Sequence, residues 1–540
     1  MRHLGFSTYF VLILLFCASP ILAETAGIQE AKSRDGMMRQ LGSTEFPTTA
    51  GEEAKAHFMK GLLALHSFEY EDARDAFRAA REVEPDYAMA AWGEAMTRNH
   101  PLWNEENREA AVEALEELAP TREERLAKAP TPREKAYLEA VEILFGEGEK
   151  LERDLAYSAA MGKVAERWPE DLDAASFYAL SLLGTCHDGR DIPTYMRAAA
   201  VVEEVFARNP QHPGAAHYLI HSYDDPVHAP LGLRAARVYA EIAPAAEHAL
   251  HMPSHVFLAL GMWQETAASN VDSYEAGEAR RQRKDQGVGR RGYHALQWLH
   301  YARLQLGQTE EALEILRLVA QDDEETDARR TRSHLAVMRA AHAVDGGDWE
   351  RLPTAPDFDD LSPSQVGASL FADGLAAVAR GNLAGARAVL ADMRQRYGSK
   401  GGEEIEACHA STGGYSRFGE VDLEPVQIME LELEALVRHR EGRSEEAVSL
   451  LRQATEIEAE RSFGFGPPMP SKPSHELLGE ILLDLDRPAE AMEEFEKALE
   501  RSPRRRLSLA GLERAAKALG DQATVVRVSE ELRSMEATAP

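Results

Sequence analysis

Residues 475–503 read HELLGEILLDLDRPAEAMEEFEKALERSP, and their spacing decides the fold. Gly479, Ala491, Phe495, Ala498 and Pro503 follow one another at intervals of 12, 4, 3 and 5 residues. Near the other end of the chain Gly61, Ala73, Phe77, Ala80 and Pro85 repeat those intervals. A pair of antiparallel helices explains the pattern. Small residues let the two backbones approach, an aromatic ring fills the space between them, and proline ends the second helix. β-strand alternation is absent from the chain, so the spacing predicts an all-α solenoid of stacked helix pairs.

Weaker copies fit the same frame: Gly307, Ala312 and Leu316; Gly374, Gly381, Ala386 and Leu390; Gly442, Ala447, Leu451 and Ala454. The 74 residues from Ala312 to Ala386 are close to two periods, which predicts a degenerate unit over 334–352. Further units are expected over 177–210, near His212 and near Pro244. The unit resembles the tetratricopeptide repeat, and the resemblance implies a helix-turn-helix solenoid wound as a right-handed superhelix. The stretches NHPLW (99–103), HPGAAHYLIHSYDDPVHAP (212–230), HALHMPSHVFLALGMW (248–263) and PSHELLGE (473–480) resemble a family of exported bacterial tetratricopeptide repeat proteins. That likeness implies fold and compartment, and carries over no catalytic residue.

Composition bounds the remaining possibilities. The chain has 540 residues, is 44% hydrophobic and carries a net charge of −31. Such an acidic surface argues against nucleic acid or anionic lipid as the main partner. One Arg, an apolar run over 9–16 and a terminal Ile-Leu-Ala predict an export signal over 1–23 and a periplasmic or secreted product. A leader follows over 24–50. The array divides into 51–275, with a helical insertion at 105–150 and a His-rich region at 212–255; central repeats at 276–424; and C-terminal repeats at 425–540 ending in capping helices. No later stretch is apolar enough for a membrane span. Cys186 and Cys408, the cysteines beyond the signal, permit one bridge and no disulfide scaffold.

Seven of the 19 histidines fall between His212 and His255. His217 and His221 lie four apart on one helical face, and Asp224, Asp225 and His228 continue that stripe. His248, His251 and His255 form a second stripe on the next first helix. Helices packed about 8–10 Å apart can bring the stripes together on the concave face. The candidate metal ligands are therefore His217, His221, His251 and His255, with His248, Asp224 and Asp225 completing the set and His187, His294 and His300 as additions. Imidazole suits zinc, copper or iron, and three or four such ligands can leave a coordination position open for activated water. Proline complicates the geometry, because Pro226 should end the first stripe early and Pro253 falls between His251 and His255. The alternative is a hydrogen-bonded histidine network that fixes the stacking of repeats.

Three weaker signals complete the reading. Gly287 to Gly292 matches a G-x-G-x-x-G pattern without the strand that gives it meaning, and reads as a loop. Arg280, Arg281, Arg283, Lys284, Arg290 and Arg291 concentrate positive charge, either as an anion-docking patch or as a solvated helix end. Phe463 to Pro473 lengthens one connection enough to carry a binding loop. Two functions follow: an exported scaffold that binds a protein or peptide in its concave groove, or a metal-binding protein or metal-dependent enzyme built on the histidines.

Overall fold

The computed structural model describes residues 39–398 and 420–536. The signal segment 1–23 and Cys408 lie outside the described residues. Helices pair in chain order. α1 (Glu52–His66) packs with α2 (Tyr70–Val83), α3 (Ala88–Met96) with α4 (Arg108–Glu116) and, after the short α5 (Arg122–Lys128), α6 (Pro132–Leu144) with α7 (Lys150–Arg167). α8 (Leu172–Gly184) pairs with α9 (Ile192–Arg208), α10 (Pro213–Ser222) with α11 (Ala229–Ile242), and the jointed α12 (Glu247–His251) and α13 (Pro253–Ala259) with α14 (Trp263–Arg283). α15 (Tyr293–Gln305) pairs with α16 (Thr309–Thr326), and α17 (Arg329–Ala341) follows. The array ends in four pairs: α18 (Pro363–Ala379) with α19 (Leu383–Tyr397), α20 (Glu420–Arg440) with α21 (Ser444–Glu460), α22 (Ser474–Asp484) with α23 (Pro488–Arg501), and α24 (Arg506–Leu519) with α25 (Gln522–Glu536).

The glycine and aromatic spacing has a direct structural cause. The buried Phe77 ring of α2 sits against Gly61 of α1 and Gly93 of α3, where a Cβ atom would lie 2.8 and 2.4 Å from it. Phe495 of α23 is seated in the same way against Gly479 of α22 and Gly511 of α24. Each ring therefore locks its own pair to the next one, and burying it contributes about 1.5–3 kcal/mol. The turn glycines Gly307, Gly381 and Gly442 all adopt positive φ between paired helices.

Two segments differ from expectation. The stretch 334–352 supplies one helix rather than two: α17 runs into a wide turn over His342–Gly346, and no helix forms between Gly347 and Ser362. Gly346, Gly347, Pro353 and Pro356 explain the loss, since glycine and proline are the weakest helix formers. The stretch 105–150 supplies α4, α5 and α6, and α6 packs against α3 as well as α7, so this segment takes a place in the array.

The array also closes on itself. His66 of α1 touches α8 and α10, and Ser43 N donates to Gln211 O at 2.9 Å. Far along the chain Trp263 Nε1 donates to Arg504 O at 2.9 Å, and Gln264 Nε2 donates to Met535 O at 2.9 Å. The C-terminal pair thereby docks on α14, which brings the connection 461–473 over the His-rich region. Among the described residues no helix is long and apolar enough to cross a membrane.

Candidate metal centre

The histidines converge where three successive first helices face one another. α10 carries His217 and His221, α12 and α13 carry His248, His251 and His255, and α15 adds His294. Pro213 at the start of α10 pre-sets its backbone, and His212 caps it by accepting from Ala215 N at 3.2 Å. Pro253 does not scatter the second stripe. Met252 keeps helical dihedrals of −55° and −35°, so the chain passes through the proline as a joint and His251 and His255 stay on one face. The first stripe does end early, at Ser222, which is before Pro226. Asp224 and Asp225 therefore belong to the following loop and not to the helix.

The nitrogen atoms approach one another closely. His217 Nε2 lies 3.1 Å from His221 Nε2 and 3.1 Å from His248 Nε2, and His251 Nε2 lies 3.1 Å from His255 Nε2. Ligands about 2.0–2.1 Å from a tetrahedral ion stand about 3.3–3.4 Å apart, so these separations are those of a ligand set. The donors fall into trios within 4.8 Å of one another: His217, His221 and His248; His251, His255 and His294; and His221, Asp224 and His255.

The outer ring nitrogens fix the protons. His217 Nδ1 is 2.7 Å from the carbonyl oxygen of His66, which can only accept, so the proton sits on Nδ1 and Nε2 presents its lone pair. Asp224 Oδ2 accepts from His255 Nδ1 at 2.5 Å. Asn270 spends its amide N–H on Thr266 O, so its Oδ1 faces His251 Nδ1 at 2.7 Å and accepts from it. His251 and His255 consequently aim two bare Nε2 lone pairs at each other. Carbonyl and carboxylate partners behind the ligands are the usual means of orienting metal-binding histidines.

Burial tunes the same groups. It pushes His217 and His251 down to about 3, and holds His221 and His248 well below the ordinary imidazole range. Neutral imidazole is the form that binds a metal. The buried His221 Nδ1 has no hydrogen-bond partner among the described residues. Aromatic rings wall the pocket: Phe68 lies 4.3 Å from His217, Tyr239 stacks on His217 at 5.3 Å, and Trp298 lies 4.4 Å from His255. His294 and Trp103 are exposed and mark the open side.

The remaining candidates lie elsewhere. Asp225 turns away, with its carboxylate 3.2 Å from Arg190 Nε and accepting from His228 Nδ1 at 2.9 Å. His187 pairs with Asp154 at 2.6 Å, and His300 faces His342 at 3.3 Å. Most of the basic cluster is consumed internally: Arg280 and Lys284 pair with Asp72, Arg290 with Glu71 and Arg291 with Asp322, which ties α14 and its loop to α2 and α16. Sequence reasoning missed His66, Asp173, Phe68 and Asn270, because three come from helices outside the histidine stripes and Phe68 from the turn between α1 and α2.

His66, His212 and Asp173 form a further buried group, in which most polar atoms have partners within the fold and His212 Nε2 lies 3.3 Å from Asp173 Oδ1. His66 Nε2 donates to Asp173 Oδ1 at 2.9 Å, Tyr218 donates to His66 Nδ1 at 3.0 Å, and Thr44 donates to Asp173 Oδ2 at 2.8 Å. Burial opposes ionisation of Asp173, yet the His212 and His66 rings beside it overcome that and hold the carboxyl below its usual range. The structural-network reading describes this trio.

The tetratricopeptide repeat model matches residues 473–505, which cover α22, α23 and the turns around them. No curated protein matches the chain. Among solved structures, the APC/C hetero-tetramer Cut9–Hcn1 shares 13% identity, with 90% of this chain and 81% of that chain covered and a TM-score of 0.35. The human IFIT1 dimer with m7Gppp-AAAA shares 13% identity over 94% of this chain and 100% of that chain, with a TM-score of 0.35. Yeast Tom70 shares 11% over 93% and 95%, with a TM-score of 0.31. Nothing about ligand or partner transfers from likenesses this distant. The helical-repeat fold itself is in general a protein-interaction scaffold with an extended concave surface.

Proposed function

We propose that this protein binds a transition metal at its histidine centre, with zinc, copper or iron as the candidates, and that the repeat array positions this centre for a protein or peptide partner. The observation that carries the reading is the opposition of His251 Nε2 and His255 Nε2 at 3.1 Å, with each Nδ1 proton committed to an acceptor. Two buried lone pairs facing each other repel unless a cation lies between them. His217, His221, His248 and His294 supply the neighbouring donors, and Asp224 acts from behind His255. Export to the periplasm or outside the cell belongs to the same proposal, on the strength of the signal-like segment 1–23.

The test is metal content after purification without a metal-affinity tag, for the natural chain and for His221→Ala, His255→Ala and His439→Ala. Bound metal should fall in the first two variants and persist in the third, whose ring pairs with Ser444 and Asp484 on distant helices. Equal metal in all three variants removes the reading.

The second reading is a scaffold that captures a peptide in its groove without a metal. A cleft of about 190 Å³ beside Asp224, lined by Trp263, Tyr301, Phe463, Phe465 and Arg501, favours it. Partner capture that survives chelation supports this reading against the first.

A further inference from the structure

The six imidazoles exceed the four positions of a tetrahedral ion, and they fall into two trios that meet at His221 and His255, which also group with Asp224. Two ligands of one ion stand no farther apart than twice the bond length, about 4.2 Å. His217, His221 and His248 lie within 4.8 Å of one another, and so do His251, His255 and His294. Small side-chain rotations would close each trio on its own ion. The trios abut, with the His221 and His255 rings 5.5 Å apart between centroids and the His248 and His251 rings 6.0 Å apart.

We infer that the centre is dinuclear and takes copper, with one ion held by His217, His221 and His248 and the other by His251, His255 and His294. The inference rests on the proposed metal-binding function and adds its nuclearity and its metal. All six donors are imidazoles. Of the nearby carboxylates, Asp224 is committed to His255, Asp225 to Arg190 and Glu69 to the backbone N–H of His248. A pair of divalent ions would bring four positive charges into a pocket with little to compensate them. Monovalent copper halves that charge, and imidazole is among the ligands that suit copper. A two-metal magnesium site would instead be expected to carry carboxylate ligands.

The test loads the full chain, stripped with chelator, with a cuprous salt under anaerobic conditions and counts bound copper by mass spectrometry. Two copper ions per chain are expected, and an equimolar zinc salt should not displace them. His248→Gln and His294→Gln should each retain one ion. His294 is exposed, so its replacement carries little risk to folding, and circular dichroism checks both variants. One ion in the natural chain, or loss of both ions in each folded variant, overturns the dinuclear centre while leaving metal binding intact. Zinc displacing copper overturns the choice of metal. A chain that binds no metal of any kind defeats the proposed function itself.

Discussion

Asp224→Asn tests the tautomer argument most sharply, because it changes a single proton acceptor behind one ligand. Asp224 Oδ2 holds the Nδ1 proton of His255 at 2.5 Å, and both side chains are buried. If the new amide presents its oxygen, a weaker neutral bond remains. If it presents its N–H, the imidazole must reverse its tautomer and place the proton on Nε2, where the metal should bind. Both outcomes weaken binding. Losing an outer partner of this kind typically lowers metal affinity 10–100-fold, which is about 1.4–2.8 kcal/mol at 1.4 kcal/mol per decade. The carboxylate bond is charge-assisted and about twice as strong as a neutral one, so Asp224→Asn should fall in the upper part of that range. Asn270→Leu, which removes the neutral 2.7 Å bond to His251, should fall in the lower part. The double variant should depart from additivity, because His251 and His255 meet directly through their Nε2 atoms. Competition against a chelator of known affinity measures all three. Unchanged affinity in both single variants with native circular dichroism would refute the reasoning, and a loss far beyond about 100-fold in Asp224→Asn would make Asp224 a ligand instead.

Three further outcomes test the fold around the site. Phe77→Ala should destabilise the N-terminal part of the array by about 3–5 kcal/mol, because the ring fills the space between Gly61 and Gly93; urea denaturation followed by circular dichroism reads this. Arg505→Met should cost about 3–5 kcal/mol by leaving Asp345 buried without its cation and Glu476 with Lys472 alone, and hydrogen exchange should show the loss first in α22 to α24. In metal-free protein the buried neutral histidines make stability rise with pH up to about 6.5, and Glu69 should oppose that rise. Burial and the charge of Glu247 push Glu69 up to about 7 from an ordinary 4.5, so its contribution is present below about pH 4.5 and lost as pH rises through 7. The shift sets a ceiling of about 3 kcal/mol, reduced by partial exposure. Glu69→Gln should therefore steepen the rise in stability between pH 5 and 7, and an equal slope in the variant refutes this assignment.

The repeat was legible because it is a local regularity. Gly61 with Phe77 and Gly479 with Phe495 state the helix pair in their spacing, since small-residue contact and an aromatic plug are the physical conditions for stacking. The solitary α17 was not legible. Ala312 and Ala386 bracket two periods whatever lies between them, and the glycines and prolines over 346–356 decide that the second helix does not form. The histidine stripes were likewise visible as spacing on α10, α12 and α13. Helical periodicity misplaced Asp224 and Asp225, because α10 stops at Ser222 and a loop then aims one carboxylate at His255 and the other at Arg190.

By itself the sequence determined the helix pairs, their turns and the clustering of seven histidines, for these depend on neighbours within one or two helical turns or one repeat. Only the tertiary structure decided which nitrogen atoms meet, that His294 joins them from α15, and that the His66 carbonyl, Asp224 and Asn270 hold the outer protons. Those contacts join residues up to 151 positions apart. They exist because the array closes on itself, and closure is set by the summed rotation between many stacked pairs, which no single repeat contains.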